Sequence, residues 1–357
     1  MIGLVMIVKN EEAVIARALL SAKPFISTYV IVDTGSTDRT KEIIAETMAD
    51  ISGIVVDRPW VNFGVNRSEA LALCDDHMDW AIMIDADDTL AGTVPPATVW
   101  TPNIDAFIMS IHHGSIIHNR VQVFRTRIGW RYEGAVHEYP ECGRETVIAT
   151  LPPETYMETR CEGFRSKDTQ KYLKDALLLE TDLATKVTHR TLFYLAQSYR
   201  DAGIPDMAIK NYQRYIDLSG GWDQERYMSI VNILGLITDI DARIALAWQG
   251  IELCPDRVEA PYTFLHEHRL AGHPLTQQCY AIARAVENRK VHRHFLFASQ
   301  ALYDWGMDDE LAVVGYWTGH YRYSYDAAMR CAMTAPEAHM RENALKNAKF
   351  AFDKLAA

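Results

Sequence analysis

From residue 3 to residue 88 the sequence repeats one pattern: a short apolar run, a cluster of polar residues, then a stretch with helical spacing. GLVMIV (3–8) leads into KNEEAVIARALLSA, where Val14, Ala18 and Leu19 recur at helical spacing. YVIV (29–32) leads into Asp33, a Gly-Ser turn and a helix predicted from about Thr37. GIVVD (53–57) reads as a third strand, VNRSEALALC (65–74) as a helix and WAIMID (80–85) as a fourth strand. Apolar runs of this length, alternating with helical patterns, predict βαβ units: a mostly parallel, Rossmann-like sheet with helices on both faces.

Open sheets of this kind bind ligands at the carboxyl ends of their strands. The polar clusters fall there: Lys9, Asn10 and Glu12 after the first strand, Asp33, Gly35 and Ser36 after the second, Asp85, Asp87 and Asp88 after the fourth. Each alone has an ordinary explanation. Ser36 or Thr37 can cap a helix, and DADD (85–88) can be a turn. Three clusters on one edge predict a site. If the fourth strand runs to its end, side-chain alternation puts Asp85 and Asp87 on one face and Asp88 on the other. Carboxylates so placed suit a hard divalent cation that also takes substrate phosphates.

VKNEE (8–12), VDTGSTDRT (32–40) and DADD (85–88), taken in this order and spacing, resemble a family 2 glycosyltransferase of the GT-A type. The resemblance covers residues 1–150 and implies roles at the matching positions. Asp33 would hydrogen-bond the nucleobase, usually uracil, with Val8, Asn10 and Glu12 around that pocket. Asp85 and Ala86 would lie against the nucleotide sugar, and Asp87 would be a direct ligand of Mn²⁺ or Mg²⁺. Asn66 and Arg67, in NFGVNRSEA (62–70), match a polar pair that helps bind the nucleotide, in the reverse of the usual order. In WRYEGAVHEYP (130–140), His137 would complete the metal site, where neutral imidazole suits Mn²⁺ better than Mg²⁺. Glu138 beside it is a candidate general base, with Asp88 as the rival. The implied reaction moves a sugar from a UDP-sugar, such as UDP-glucose or UDP-N-acetylglucosamine, to an acceptor nucleophile with inversion.

The pattern changes after PPETYMETRCEGFRS (152–166). Residues 151–170 read as a junction and 171–357 as an all-helical domain. In HRTLFYLAQSYRDAGIPDMAIKNYQRYIDLSG (189–220), Leu192, Leu195, Ala196 and Tyr199 line one helix face and Ala208, Tyr212 and Tyr215 the next, with a break at Gly203. That spacing matches a tetratricopeptide-type (TPR-like) repeat of about 34 residues. Weaker echoes occur at 253–274, with a proline between helices and a glycine turn, and at 295–317, with a turn at Gly306. The aromatic stripe reads first as core; stacked repeats would also offer a concave surface for an acceptor or a homodimer. A GT-A half with this extension resembles a bacterial and viral subgroup, which implies a peptide, a protein or a phage DNA base as acceptor. FRSKD (164–168) could reach donor or acceptor, or be a solvated helix start.

Composition narrows the alternatives. A net charge of −11 argues against a broad nucleic-acid footprint. No apolar run is long enough to span a membrane, and the apolar start lacks a basic leader, so a cytoplasmic protein is expected. The six cysteines are scattered without a CxxC pair, which predicts reduced thiols. Two rival functions remain. A nucleotidyltransferase of similar fold would want a basic glycine-rich loop where this chain has VKNEE. A helical-repeat interaction protein with a non-catalytic nucleotide-binding half would not need Asp85, Asp87, His137 and Glu138.

Overall fold

The computed structural model describes all residues except 115, 161, 293, 294 and 357. Cys161, counted above among the thiols, lies outside them. The five described cysteines are all buried and unpaired. The chain divides into two compact units, Met1–Lys186 and Val187–Ala357.

The first unit opens with β1 (Ile2–Val8), α1 (Ile15–Ala22), β2 (Thr28–Asp33), α2 (Thr40–Thr47), β3 (Gly53–Asp57), α3 (Phe63–Leu73) and β4 (Trp80–Met83). It continues through β5 (Thr89–Gly92), β6 (Ala106–His113), β7 (Ile116–Arg125), β8 (Arg131–Glu133), β9 (Tyr139–Glu141), β10 (Ile148–Thr150) and β11 (Thr155–Glu158), and ends with α4 (Lys171–Thr185). The break between units falls after α4, not at residue 171. The main sheet runs β3-β2-β1-β4-β7-β6-β11-β5, with β10 paired to β6. β1 to β4 pair in parallel, as the alternation predicts, while β7 joins β4 and β6 antiparallel.

Alternation along the strands sorts the core into two layers. Leu4, Met6, Ile31 and Ile82 pack with α1 on one face. Val5, Val30, Val32, Ala81 and Met83 pack with α3 on the other. Every residue of β2 is buried, as a strand covered on both faces requires. Each such Leu, Ile, Val or Met side chain contributes about 1.5–3 kcal/mol of burial.

The order of strands reverses between β1 and β4, since β2 and β3 lie to one side of β1 and β4 to the other. This is the switch point at which a crevice opens. β4 is shorter than the sequence suggests. It ends at Met83, whose carbonyl accepts the Gln122 side-chain amide at 3.0 Å instead of continuing the ladder. Gln122 is free to do this because the β6–β7 register shifts there: Val123 faces Phe107 and Val121 faces Ile108.

The second unit contains α5 (His189–Asp201), α6 (Pro205–Asp217), α7 (Asp223–Leu234), α8 (Ile240–Leu253), α9 (Glu259–Leu270), α10 (Gln277–Ala285), α11 (Met307–Trp317), α12 (Tyr321–Thr334) and α13 (Ala338–Leu355). The first helices of successive pairs begin at His189, Asp223 and Glu259, a period of about 34–36 residues. The stripe Leu192, Leu195, Ala196, Tyr199, Ala208, Tyr212 and Tyr215 is buried, and Gly203 turns the chain at φ +73°.

Two readings change. The pair α7–α8 has no counterpart among the expected repeats. Its buried residues on α7, including Tyr227, Met228, Ile230, Ile233 and Leu234, lie too far round the helix to show as a stripe. Gly306 makes no turn. It has helical angles and continues into α11, where an added Cβ would lie 3.2 Å from Leu302 and 3.4 Å from Tyr262. Close packing explains that glycine. No helix among the described residues is long and apolar enough to cross a membrane.

Candidate functional site

The loops after β1 and β2 are tied to each other. Asn10 adopts a left-handed conformation, φ +56°. Its amide donates to Ser36 Oγ at 2.9 Å, and its Oδ1 accepts from the Thr37 amide at 2.8 Å. Glu12 Oε2 accepts from the Arg39 amide at 3.0 Å, and the Glu12 amide donates to Asp38 Oδ2 at 3.1 Å. The Val8 carbonyl accepts from both the amide and the hydroxyl of Thr34. Val8, Asn10 and Glu12 thus hold the loops together. Asp33, only 1% exposed, ends β2. Its Oδ1 accepts from the amides of Gly35 and Ser36 at 2.9 and 2.8 Å, while its Oδ2 is buried without a hydrogen-bond partner.

DADD is a turn between β4 and β5, closed by the Asp88 amide on the Asp85 carbonyl at 3.1 Å. The strand alternation expected for its carboxylates therefore does not apply. Ala86 is buried within the turn. Asp85 faces Arg67 of α3, whose Nη2 donates to it at 2.6 Å. Arg67 Nε lies 2.9 Å from Glu138 Oε1. That Nε has no hydrogen-bond partner, so the second contact is an ion pair with poor hydrogen-bond direction. Arg67 and Glu138 are largely buried, with 9% and 12% of their side chains exposed. Asn66, next to Arg67, is fully buried and holds the 59–61 loop: its Oδ1 accepts from the Val61 amide and its Nδ2 donates to the Pro59 carbonyl.

Asp87 Oδ2 accepts from the Gly163 amide at 2.9 Å. Asp88 is 2% exposed, and its Oδ1 has no hydrogen-bond partner. Burial, then the charge of Asp85, push its carboxyl up to about 7, against a hydrogen bond with Thr159. Glu11, not singled out in the sequence, joins this group. Burial pushes it up to about 7 against the hydrogen bond from the Phe164 amide, with Asp87, Asp38 and Asp85 adding to the rise. The NEE run held the signal, but the left-handed turn at Asn10 decides which glutamate faces the acids. Arg17 of α1 supports the turn, donating to the Asp87 carbonyl at 3.3 Å.

His137 is exposed, with φ +55°. Among the described residues no group of three or more His, Cys, Asp or Glu is gathered to hold a metal ion. The donor chemistry nevertheless fits a hard divalent cation: carboxylate oxygens crowd together, and Asp88 Oδ1 stands unpartnered among them. Asp87 would hold such a cation, with substrate oxygens filling the remaining positions.

Residues 4–97, which contain the three strand-end clusters, match the family model for glycosyl transferase family 2. Those residues are similar to a family 2 glycosyl transferase domain, and helices with TPR-like spacing follow them. A TPR repeat-containing protein of Synechococcus elongatus is 30% identical over 145 residues, covering 38% of this chain and 34% of that protein. An uncharacterized glycosyltransferase of Rickettsia felis is 39% identical over 85 residues, 24% of this chain and 28% of that one. The chain thus spans about a third or less of the length of the curated relatives it matches. In fold, the S. aureus TarS 1–349 structure in complex with UDP-GlcNAc aligns with 76% of this chain and 92% of its own, at 13% identity and a TM-score of 0.41.

Proposed function

We propose that the protein transfers a sugar from a UDP-sugar, such as UDP-glucose or UDP-N-acetylglucosamine, to an acceptor nucleophile, with Mn²⁺ or Mg²⁺ as cofactor. The observation that carries this reading is the gathering of Asp33, the Arg67-bridged pair Asp85 and Glu138, and the acids Asp87 and Asp88 at one edge of the parallel sheet, with two buried carboxylate oxygens left unpaired.

Asp33 Oδ2 suits a ring N–H. With Oδ1 fixed by two amides, the remaining oxygen is an oriented acceptor, and uracil presents an N–H there. Arg67 holds Asp85 in place beside the sugar-nucleotide. When bound, the cation neutralises the diphosphate as it leaves. Asp88 is the better base. Its free oxygen can take the acceptor's proton, whereas Glu138 is already engaged with Arg67. The acceptor oxygen or nitrogen bonds to the anomeric carbon, the bond from that carbon to the phosphate oxygen breaks, and UDP departs with that electron pair. One direct displacement of this kind inverts the anomeric centre.

The test is nucleoside diphosphate release from a panel of UDP-, GDP- and dTDP-sugars with Mn²⁺ present. UDP release is expected, and Asp33→Ala should raise KM for the UDP-sugar about tenfold, the size of one lost hydrogen bond to a charged group. Release from none of them by folded protein would favour the helical-repeat interaction protein.

A further inference from the structure

We propose that residues 162–164 form a strap lying in the cation seat between Glu11 and Asp87, which a divalent cation must displace to bind. The proposal rests on the metal-dependent reading above and adds Glu11 as a ligand and the strap as its competitor.

The geometry is specific. The Gly163 amide donates to Asp87 Oδ2 at 2.9 Å, and the next amide, of Phe164, donates to Glu11 Oε2 at 3.0 Å. A Cβ built on Gly163 would stand 3.2 Å from Asp87 Oδ2 and 3.3 Å from Glu11 Oε1. The backbone therefore occupies the gap between the two carboxylates, at a place only glycine fits without a shift. The strap is pinned on both sides. Arg17 pairs with Glu162 at 2.7 Å and also reaches the Asp87 carbonyl. Arg165 pairs with Asp175 of α4 and stacks 4.6 Å over the Phe63 ring of α3.

Consecutive N–H groups and a divalent cation both bring positive potential to the same oxygens, so they exclude one another. Two charge-assisted hydrogen bonds are what the strap offers; a cation offers two carboxylate bonds and a counter-charge for the whole cluster. The neighbouring Asp88 Oδ1, buried and unpartnered, shows that the strap leaves this cluster only partly satisfied. Mg²⁺ and Mn²⁺ sites with few protein ligands leave room for substrate phosphates, so Glu11 and Asp87 suffice as the protein's share. Once lifted, the strap would leave the seat open to the diphosphate as well.

Two measurements on the full chain test this, with Mn²⁺ alone as the probe. Hydrogen exchange of the 163–164 amides should quicken about tenfold at saturating Mn²⁺, the scale of one charge-assisted hydrogen bond. Mn²⁺ titration by electron paramagnetic resonance should give about tenfold tighter binding to Gly163→Pro than to the wild type. That variant has no N–H to give Asp87, and its ring, placed where even a Cβ is tight, pushes the strap off the two carboxylates, while φ −60° is one proline can adopt. Glu11→Gln, which can still accept from Phe164, should bind Mn²⁺ about tenfold more weakly. Binding by Gly163→Pro alone would support the strap as a strong latch. Mn²⁺ binding with unchanged exchange at 163–164 would overturn the strap and leave the metal reading standing. Unchanged affinity in Glu11→Gln would remove Glu11 as a ligand. Binding to neither protein would overturn both the strap and the metal reading.

Discussion

Asp88→Asn should reduce sugar transfer by about 10²–10⁴-fold, the usual share of a general base, and make the cation-free fold more stable at neutral to mildly alkaline pH. Both effects come from one environment. Asp88 is 2% exposed, has one oxygen without a partner and sits among like charges. Its folded carboxyl lies at about 7 against an ordinary 3.8 in the unfolded chain, so between those values the folded state keeps a proton that the unfolded chain has released. Stability is therefore fully present below the unfolded value and is lost as pH rises through the folded one. Glu11, raised from 4.5 to about 7, acts in the same direction. Urea unfolding in chelator should show a decline on the order of 4–6 kcal/mol between about pH 4 and pH 8, roughly halved in Asp88→Asn because Glu11 keeps its own share. Such a gain in stability with a loss of activity marks a residue kept for chemistry. A variant with normal transfer would hand the base to Glu138.

The second large effect is expected at Arg67. Arg67→Met leaves Glu138 buried without its cation and strips Asp85 of its hydrogen bond. Breaking a buried pair from one side costs about 3–5 kcal/mol, and partial exposure of Asp85 lowers the expectation to about 2–4 kcal/mol. Adding Glu138→Gln removes the stranded charge and should recover part of the loss. Denaturant midpoints of the wild type, single and double variants measure this. A single variant as stable as the wild type would mean that Arg67 is not the internal counter-ion described here.

This role illustrates what the sequence could and could not carry. The alternating apolar runs and their polar ends located β1 to β4 and the edge where the acids gather, because strand burial and strand-end chemistry are local properties. Arg67 was legible as part of a polar pair, but its partners lie 18 and 71 positions away, at Asp85 and Glu138, and only the fold brings them to it. β4 appeared longer because IMID reads as continuous strand, whereas Gln122 from β7 takes the Met83 carbonyl. Glu11 passed unnoticed beside Asn10 and Glu12 because a left-handed residue, Asn10, redirects the loop. In the helical unit the Leu192–Tyr215 stripe was plain, while α7 buries too many of its faces to show a period. Gly306 was read as a turn from its residue type, when close packing inside a helix is its reason.

The central claim is that this sheet edge binds a nucleoside diphosphate together with a divalent cation. Thermal unfolding with UDP, GDP, CDP and dTDP, each with and without Mn²⁺, tests it most directly, because a ligand of the folded state alone raises Tm with the logarithm of its saturation. The account predicts a rise with UDP that requires Mn²⁺ and disappears in Asp87→Asn. No rise with any nucleotide, in protein that unfolds cooperatively, would contradict it.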